Sequence, residues 1–182
     1  MALCGFVALV FMTILPGSIR AETPEADLSD RQQALNELAL DIISEHPNIP
    51  HIASDQARNR VGRATFIDVR EAKEFAVSRI PGAVHINDAE ALIAFAREHD
   101  QPLVLYCSVG QRSAEFTRVL HEAGLDHAVN FVGSIFAWGN LQYGLEDDLG
   151  PVDHVHPYSW LWGWQYLDKQ LHAYEGRSAA TH

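Results

Sequence analysis

Cysteine is nearly missing from this chain, since Cys4 and Cys107 are the two among 182 residues. Basic charge is scarce as well. Thirteen Lys and Arg stand against 24 Asp and Glu, a formal net charge of −11 at pH 7, which argues against nucleic acid or an anionic membrane surface as a partner. The same imbalance repels an anionic substrate at long range. An anion site must therefore be made locally, from backbone amides or a placed arginine. Internal repeats and low-complexity tracts are absent. So are Gly-rich nucleotide loops, catalytic triads and metal motifs, and no cofactor or metal is expected.

One apolar run is long enough to notice. Ala2 to Leu15 is interrupted only by Gly5 and Thr13, and Pro16-Gly17-Ser18-Ile19-Arg20-Ala21 follows. That is the length of a signal-peptide core and shorter than a typical membrane span. Residues 1–21 read as a signal peptide, cut after Ala21, which predicts a periplasmic or secreted protein with no membrane span after cleavage. No Lys or Arg precedes the run, and a retained N-terminal anchor is the alternative. Cys4 leaves with the signal, so Cys107 becomes the single thiol of the mature chain and cannot form an internal disulfide. Taken alone, such a cysteine reads equally well as a small buried hydrophobe.

What is present suits one folded domain. Apolar residues make up 47% and charged residues 20% of the chain, which excludes wholesale disorder. Residues 22–50 read as an acidic leader and a helix, with Ser29 as cap, Gln32 completing a capping box, and Leu35, Leu38, Ala39, Ile42 and Ile43 on one face. Strands are expected at Ile52-Ala53, Thr65–Val69, Val84–Ile86, Leu103–Tyr106 and His127–Phe131. Between them, helices are expected from Asp55 to about Arg60 (capped by Ser54), from Glu71 to Phe75, after an Asn87–Glu90 capping box, from Ser113 to about Ala123, and from Gly133 to Trp138. Strands alternating with helices need crossover connections. The expected fold is α/β, an open sheet of about five mostly parallel strands with helices on both faces. Residues 51–149 make that domain. Residues 150–182, with Trp160, Trp162, Trp164, Tyr158, Tyr166 and Tyr174, make an aromatic extension, read as a helix from Ser159 to about His172 that packs its aromatics across the domain or offers them to a partner.

The chemistry gathers after Tyr106. Cys107-Ser108-Val109-Gly110-Gln111-Arg112 follows a buried strand and leads into a helix. Open α/β sheets place their sites at the carboxyl ends of strands. Gly110 lets the backbone fold tightly, and successive amides with the helix start can form an anion-binding concavity around the sulfur. Such a cradle favours the thiolate, and Arg112 adds a positive charge for an anionic substrate.

These residues resemble the rhodanese family, over about Ile52 to Leu145. Phe66-Ile67-Asp68-Val69-Arg70 with Glu74-Phe75 resembles the family's first strand and turn. Ile80-Pro81-Gly82-Ala83 with His85-Ile86 resembles its Pro-Gly-Ala segment. Cys107 to Arg112 resembles its active-site loop, and Gly133 with Trp138 resembles its C-terminal glycine and tryptophan. Arg79 stands where many members have His, and Gly133-Ser134 replaces a frequent glycine pair.

The resemblance implies a sulfurtransferase. Cys107 would take a sulfane sulfur from a small thiosulfate-like donor and carry it as a persulfide. A thiol, cyanide or a protein acceptor would then remove it. Arg112 would orient the donor, and the amides of Ser108, Val109, Gly110, Gln111, Arg112 and Ser113 would hold the anion. Related phosphatases use a loop one residue longer, so phosphatase chemistry is disfavoured. A non-catalytic sulfur carrier or partner-binding module is the alternative. Asp68 and Arg70 read as a structural ion pair and His85 as a partner of backbone groups. His154 and His156 read as solvated or capping residues, Trp138 as core, and Ser113 as a partner of the sulfur or a helix cap.

Overall fold

Alternation along the strands divides the core in two. The computed structural model describes residues 30–177, so the proposed signal, the acidic leader and the Ser29 cap lie outside the described residues. The elements in order are α1 (Asp30–Glu45), β1 (His51–Ile52), α2 (Ser54–Arg58), β2 (Thr65–Asp68), α3 (Ala72–Val77), β3 (Val84–His85), α4 (Ala89–Glu98) and β4 (Leu103–Tyr106). They continue with α5 (Gln111–Glu122), β5 (Ala128–Phe131), α6 (Ser134–Asn140), β6 (Leu145–Asp147), β7 (Gly150–Val152) and α7 (Trp160–Tyr166). Five strands form one sheet in the order β1-β5-β4-β2-β3, with every pair parallel. β6 and β7 form a separate antiparallel hairpin.

Neighbouring residues of a strand face opposite sides. Phe66, Val104 and Tyr106 therefore meet Leu35 and Ile42 of α1, Ala57 of α2 and Ile135, Phe136 and Trp138 of α6. Ile67, Leu103, Leu105 and Cys107 meet Leu92 and Ala96 of α4 and Leu120 of α5 on the other side. Helices cover both faces, which is why Leu103-Val104-Leu105-Tyr106 is buried throughout and carries no polar stripe.

Topology sets the place of the site. The chain leaves β2 through α3 toward edge strand β3, but leaves β4 through α5 in the opposite direction, toward β5. β2 and β4 are adjacent, so a crevice opens at their carboxyl ends. Asp68 ends one strand and Cys107 follows the other.

Several local expectations are corrected. The helix expected from Ser113 starts at Gln111, with Gly110 as cap at φ +115°. The cap of α4 is Asp88 rather than Asn87, its carboxylate accepting the Ala91 N–H at 2.8 Å. Ser54 is the first residue of α2 and Ala53 the cap; the Ala53 N–H is taken by the Gln56 side chain at 3.0 Å.

The larger correction is C-terminal. The helix expected from Ser159 to His172 ends at Tyr166, where Leu167 turns to an extended conformation and is fully buried. Asn140 takes the place of the next helical turn: its amide donates to the Tyr166 carbonyl at 2.9 Å and accepts the Asp168 N–H at 2.9 Å. Of the aromatics, Trp162 and Tyr166 pack on the core, whereas Trp160, Trp164 and Tyr174 are exposed. The segment is nevertheless tied down. The Val155 N–H reaches the Leu171 carbonyl at 2.7 Å, and Arg177 forks onto Asp147 at 2.7 and 2.6 Å.

Candidate active site

The loop after β4 takes its shape from α6. The N–H groups of Gly133, Ile135 and Phe136 are donated to the carbonyls of Val109, Cys107 and Ser108 at 2.8, 3.2 and 3.1 Å. Amides at a helix start have no partners within the helix, and the loop carbonyls satisfy them. Because each peptide is planar and trans, the N–H groups of Ser108, Val109 and Gly110 must point the opposite way. The Gly110 N–H reaches the Cys107 Sγ at 3.2 Å.

Two glycines make this approach possible. Gly110 is at φ +115°, and a Cβ there would come within 3.1 Å of the Val132 Cα and 3.3 Å of the Phe131 carbonyl oxygen. Gly133 is at φ +79°, where a Cβ would lie 2.9 Å from that of Ala137. Ser134 is left-handed too, at φ +50°, a conformation that costs a non-glycine residue about 1 kcal/mol. Its hydroxyl offsets this by accepting the Cys107 N–H at 3.0 Å and donating to the Phe131 carbonyl at 2.7 Å. The serine in place of a second glycine thus holds the backbone of Cys107.

Buried polar side chains hold the rest of the loop. Asn130 of β5 donates to the Gly110 carbonyl at 3.1 Å and to the His51 Nδ1 at 3.2 Å, and its Oδ1 accepts the Ser113 hydroxyl at 2.6 Å. The His51 Nε2 donates to the His46 carbonyl at 2.8 Å, which leaves Nδ1 as the acceptor. Ser113 Oγ is also 3.7 Å from the Cys107 Sγ. It has one proton, and Asn130 is the closer acceptor.

Arg112 is not a free cation. Its two terminal nitrogens meet the Glu74 carboxylate, each at 3.1 Å, and one also meets the Ser108 hydroxyl at 3.0 Å. Glu74 is fully buried. It further accepts the Ser108 hydroxyl at 3.1 Å and the Glu71 N–H at 3.0 Å. Burial alone would raise this carboxyl. The hydrogen bonds and charge of Arg112, with the Glu71 N–H, outweigh burial and hold it below the usual glutamate range. Gln111 turns outward to Glu45 at 3.1 Å.

Asp68 and Arg70 brace the strand ends behind the loop. The Arg70 guanidinium forks onto Asp68 at 2.9 and 2.7 Å and donates to the Ser78 carbonyl at 2.6 Å. Both side chains are fully buried. Burial would lower the Arg70 pKa, but the Asp68 carboxylate reverses this and raises it. The Tyr106 phenol is pushed up by burial and by the nearby Asp68 charge, and accepts the Ile80 N–H at 3.2 Å. His85 Nε2 meets the Arg70 carbonyl at 2.7 Å. His156 is buried and accepts the Tyr158 N–H at 3.0 Å through Nδ1. Trp138 is buried, with its indole N–H on the Gly144 carbonyl. Among the described residues, no group of His, Cys, Asp and Glu side chains could hold a metal ion.

A cavity of about 180 Å³ opens beside the sulfur, lined by Cys107, Ser108, Val109, Gln111, Arg112, Tyr158 and Trp162. Cys107 itself is 1% exposed. The Tyr158 ring lies 4.9 Å from the Arg112 guanidinium carbon, so the C-terminal segment supplies one wall. Of the residues named from sequence, the structure brings Cys107, Ser108, Val109, Gln111 and Arg112 to this cavity. Gly110 and Ser113 approach the sulfur at 3.2 and 3.7 Å without lining the cavity, and Asp68 and Arg70 are fully buried away from it. Sequence reasoning missed the roles of Glu74, Asn130, Ser134, Tyr158 and Trp162. Asn130 could have been noticed as a polar residue in the apolar strand Ala128-Val129-Asn130-Phe131.

A parallel sheet with a thiol at the carboxyl end of its central strand, inside a loop held by helix amides, defines a cysteine-centred α/β domain. Residues 53–141 match the family described as Rhodanese-like domain. Human thiosulfate:glutathione sulfurtransferase is 30% identical over 92 residues, covering 42% of this chain and 80% of the human protein. The probable adenylyltransferase/sulfurtransferase MoeZ of Mycobacterium tuberculosis is 37% identical over 81 residues, with 42% of this chain and 20% of that protein covered. A thiosulfate sulfurtransferase crystal structure from Pseudomonas aeruginosa shares the fold, with a TM-score of 0.51 at 23% identity over 66% of this chain and 24% of that one. The matched region thus spans about a fifth of the MoeZ protein and about a quarter of the Pseudomonas chain. The chain belongs to the rhodanese-like family.

Proposed function

We propose that this protein is a sulfurtransferase that carries a sulfane sulfur on Cys107. The observation that supports it most is the Cys107 Sγ, bordering a small cavity with the Gly110 N–H at 3.2 Å and two further loop amides turned the same way. The Cys107 thiolate attacks the outer sulfur of a thiosulfate-like donor. A sulfur–sulfur bond forms at Cys107, the donor's sulfur–sulfur bond breaks, and sulfite leaves with the electron pair. A thiophilic acceptor such as cyanide or a thiol then takes the outer sulfur and restores the thiolate. The amides of Ser108, Val109 and Gly110 hold the persulfide's negative charge in a site largely closed to water, where fixed dipoles act most strongly. Arg112, anchored on Glu74, keeps the loop in shape and faces the donor from the side. The apolar run from Ala2 to Leu15 supports export of the protein to the periplasm or beyond.

Thiosulfate:cyanide activity of the purified protein tests this reading. Turnover should vanish in Cys107→Ser, and one extra sulfur should appear on Cys107 when donor is added without acceptor. Turnover that survives Cys107→Ser would refute the proposal. One observation favours a sulfur carrier instead: at 1% exposure a persulfide on Cys107 is shielded from solvent thiols. A stable persulfide that cyanide fails to discharge would select that reading.

A further inference from the structure

The far wall of the Cys107 cavity comes from residues outside the family match. Tyr158 and Trp162 lie well beyond residue 141, where that match ends, yet both border the cavity beside Cys107 and Val109. Their placement is built into the fold. Val155 is bound to residue 171 through its N–H and to residue 173 through its carbonyl, at 2.7 and 3.1 Å. The buried His156 ring then takes the Tyr158 N–H at 3.0 Å. Pro157 fills the space over Gly163, where any Cβ would collide with it. Ser159 caps α7, and the Trp162 ring stands against Tyr158 and Tyr166 with centroids 6.2 and 5.5 Å away. Tyr158 is held at φ +62°, a strained conformation for a tyrosine that the surrounding contacts must enforce.

The same cavity is poor in available positive charge. Among the described residues, Arg112 is the one cation lining it, and both terminal nitrogens of Arg112 are bound to Glu74. Inorganic thiosulfate carries two negative charges in a small volume and would find no unpaired counter-charge here. An aryl group would find Val109, Tyr158 and Trp162. A cavity of about 150 Å³ with apolar walls is enough for benzene, and this one holds about 180 Å³.

We infer that the site selects organic sulfane-sulfur donors of low charge bearing one ring-sized apolar group, with Tyr158 and Trp162 as the specificity-determining residues. The inference rests on the sulfurtransferase reading. With an aryl thiosulfonate, the Cys107 thiolate attacks the terminal sulfur and becomes a persulfide. The donor's sulfur–sulfur bond breaks and the aryl sulfinate leaves with the electron pair, the ring remaining against the aromatic wall.

Benzenethiosulfonate and thiosulfate, each with cyanide as acceptor, test it on the full chain. The wild type should favour the aryl donor in kcat/KM by on the order of tenfold, the factor expected from partly burying one phenyl-sized group. Trp162→Leu and Tyr158→Ala should each shrink that ratio by about threefold or more. A measurement on the wild type alone guards against variants that fold poorly. Benzenesulfonate should inhibit about tenfold more tightly than methanesulfonate, which has the same charge and no ring. A donor ratio at or below unity, a ratio unchanged in well-folded variants, or equal inhibition by the two sulfonates would overturn the inference and leave the sulfurtransferase reading standing. Absence of Cys107-dependent turnover with either donor would sink both.

Discussion

Replacing Glu74 by glutamine changes one atom of the side chain and should unsettle the whole loop. The carboxylate accepts four hydrogen bonds, from the Glu71 N–H, the Ser108 hydroxyl and both terminal nitrogens of Arg112. Glutamine has one acceptor oxygen, and in either orientation its NH2 faces an Arg112 nitrogen. The Ser108 hydroxyl can rotate to accept, so the less costly orientation loses one charge-assisted bond and the ionic attraction. A bond of that kind contributes about 1.5–3 kcal/mol. Arg112 is 31% exposed, so water recovers part of its loss, and the expected cost of Glu74→Gln is about 2–3 kcal/mol. For a domain of this size that lowers the melting temperature by roughly 5–10 °C.

The pH dependence sharpens the test. The folded carboxyl titrates below the unfolded one, so its contribution is present above the ordinary glutamate value of about 4.3 and is lost as pH falls through the folded value. Urea unfolding of wild type and Glu74→Gln at pH 7 and at several acidic values should show a gap that narrows below about pH 4.3. The double substitution Glu74→Gln with Arg112→Met should cost less than the two single costs added together. A Glu74→Gln protein within about 0.5 kcal/mol of wild type at pH 7, or a gap independent of pH, would refute the reasoning.

Asn130→Leu keeps the size of the side chain but strands the His51 Nδ1 and leaves the Ser113 hydroxyl only its longer bond to the Gly110 carbonyl at 3.2 Å. Urea titration should show a loss of about 1–3 kcal/mol, with sulfur transfer falling as the loop loosens. His156 is held below its ordinary pKa by burial, so the unfolded chain takes up its proton first on acidification. Wild-type stability should decline as pH drops below about 6.5, by no more than about 1.4 kcal/mol per pH unit. His156→Asn, whose carbonyl can still accept the Tyr158 N–H, should flatten that decline in melting temperature against pH.

Much of the fold was legible because its signals are local. Short continuous apolar runs at Thr65–Asp68 and Leu103–Tyr106, helical apolar spacing in α1 and α4, and a cysteine followed by a glycine-containing loop all lie within short stretches. They pointed to about five mostly parallel strands and put the thiol at a strand end. The helix expected over Ser159–His172 failed for a long-range reason, since Asn140 supplies the hydrogen bonds that end it at Tyr166.

Composition and pattern, read alone, determined the layers of this protein, its sheet and the residue that carries its proposed chemistry. Tertiary structure decided what surrounds that residue. Glu74 reaches Arg112 across 38 positions of chain and Ser134 reaches Cys107 across 27. Tyr158 and Trp162 arrive at the cavity from a segment that follows the whole sheet. Such partners share no spacing rule, because side chains meet in space only after the strands have paired and the helices have closed over them.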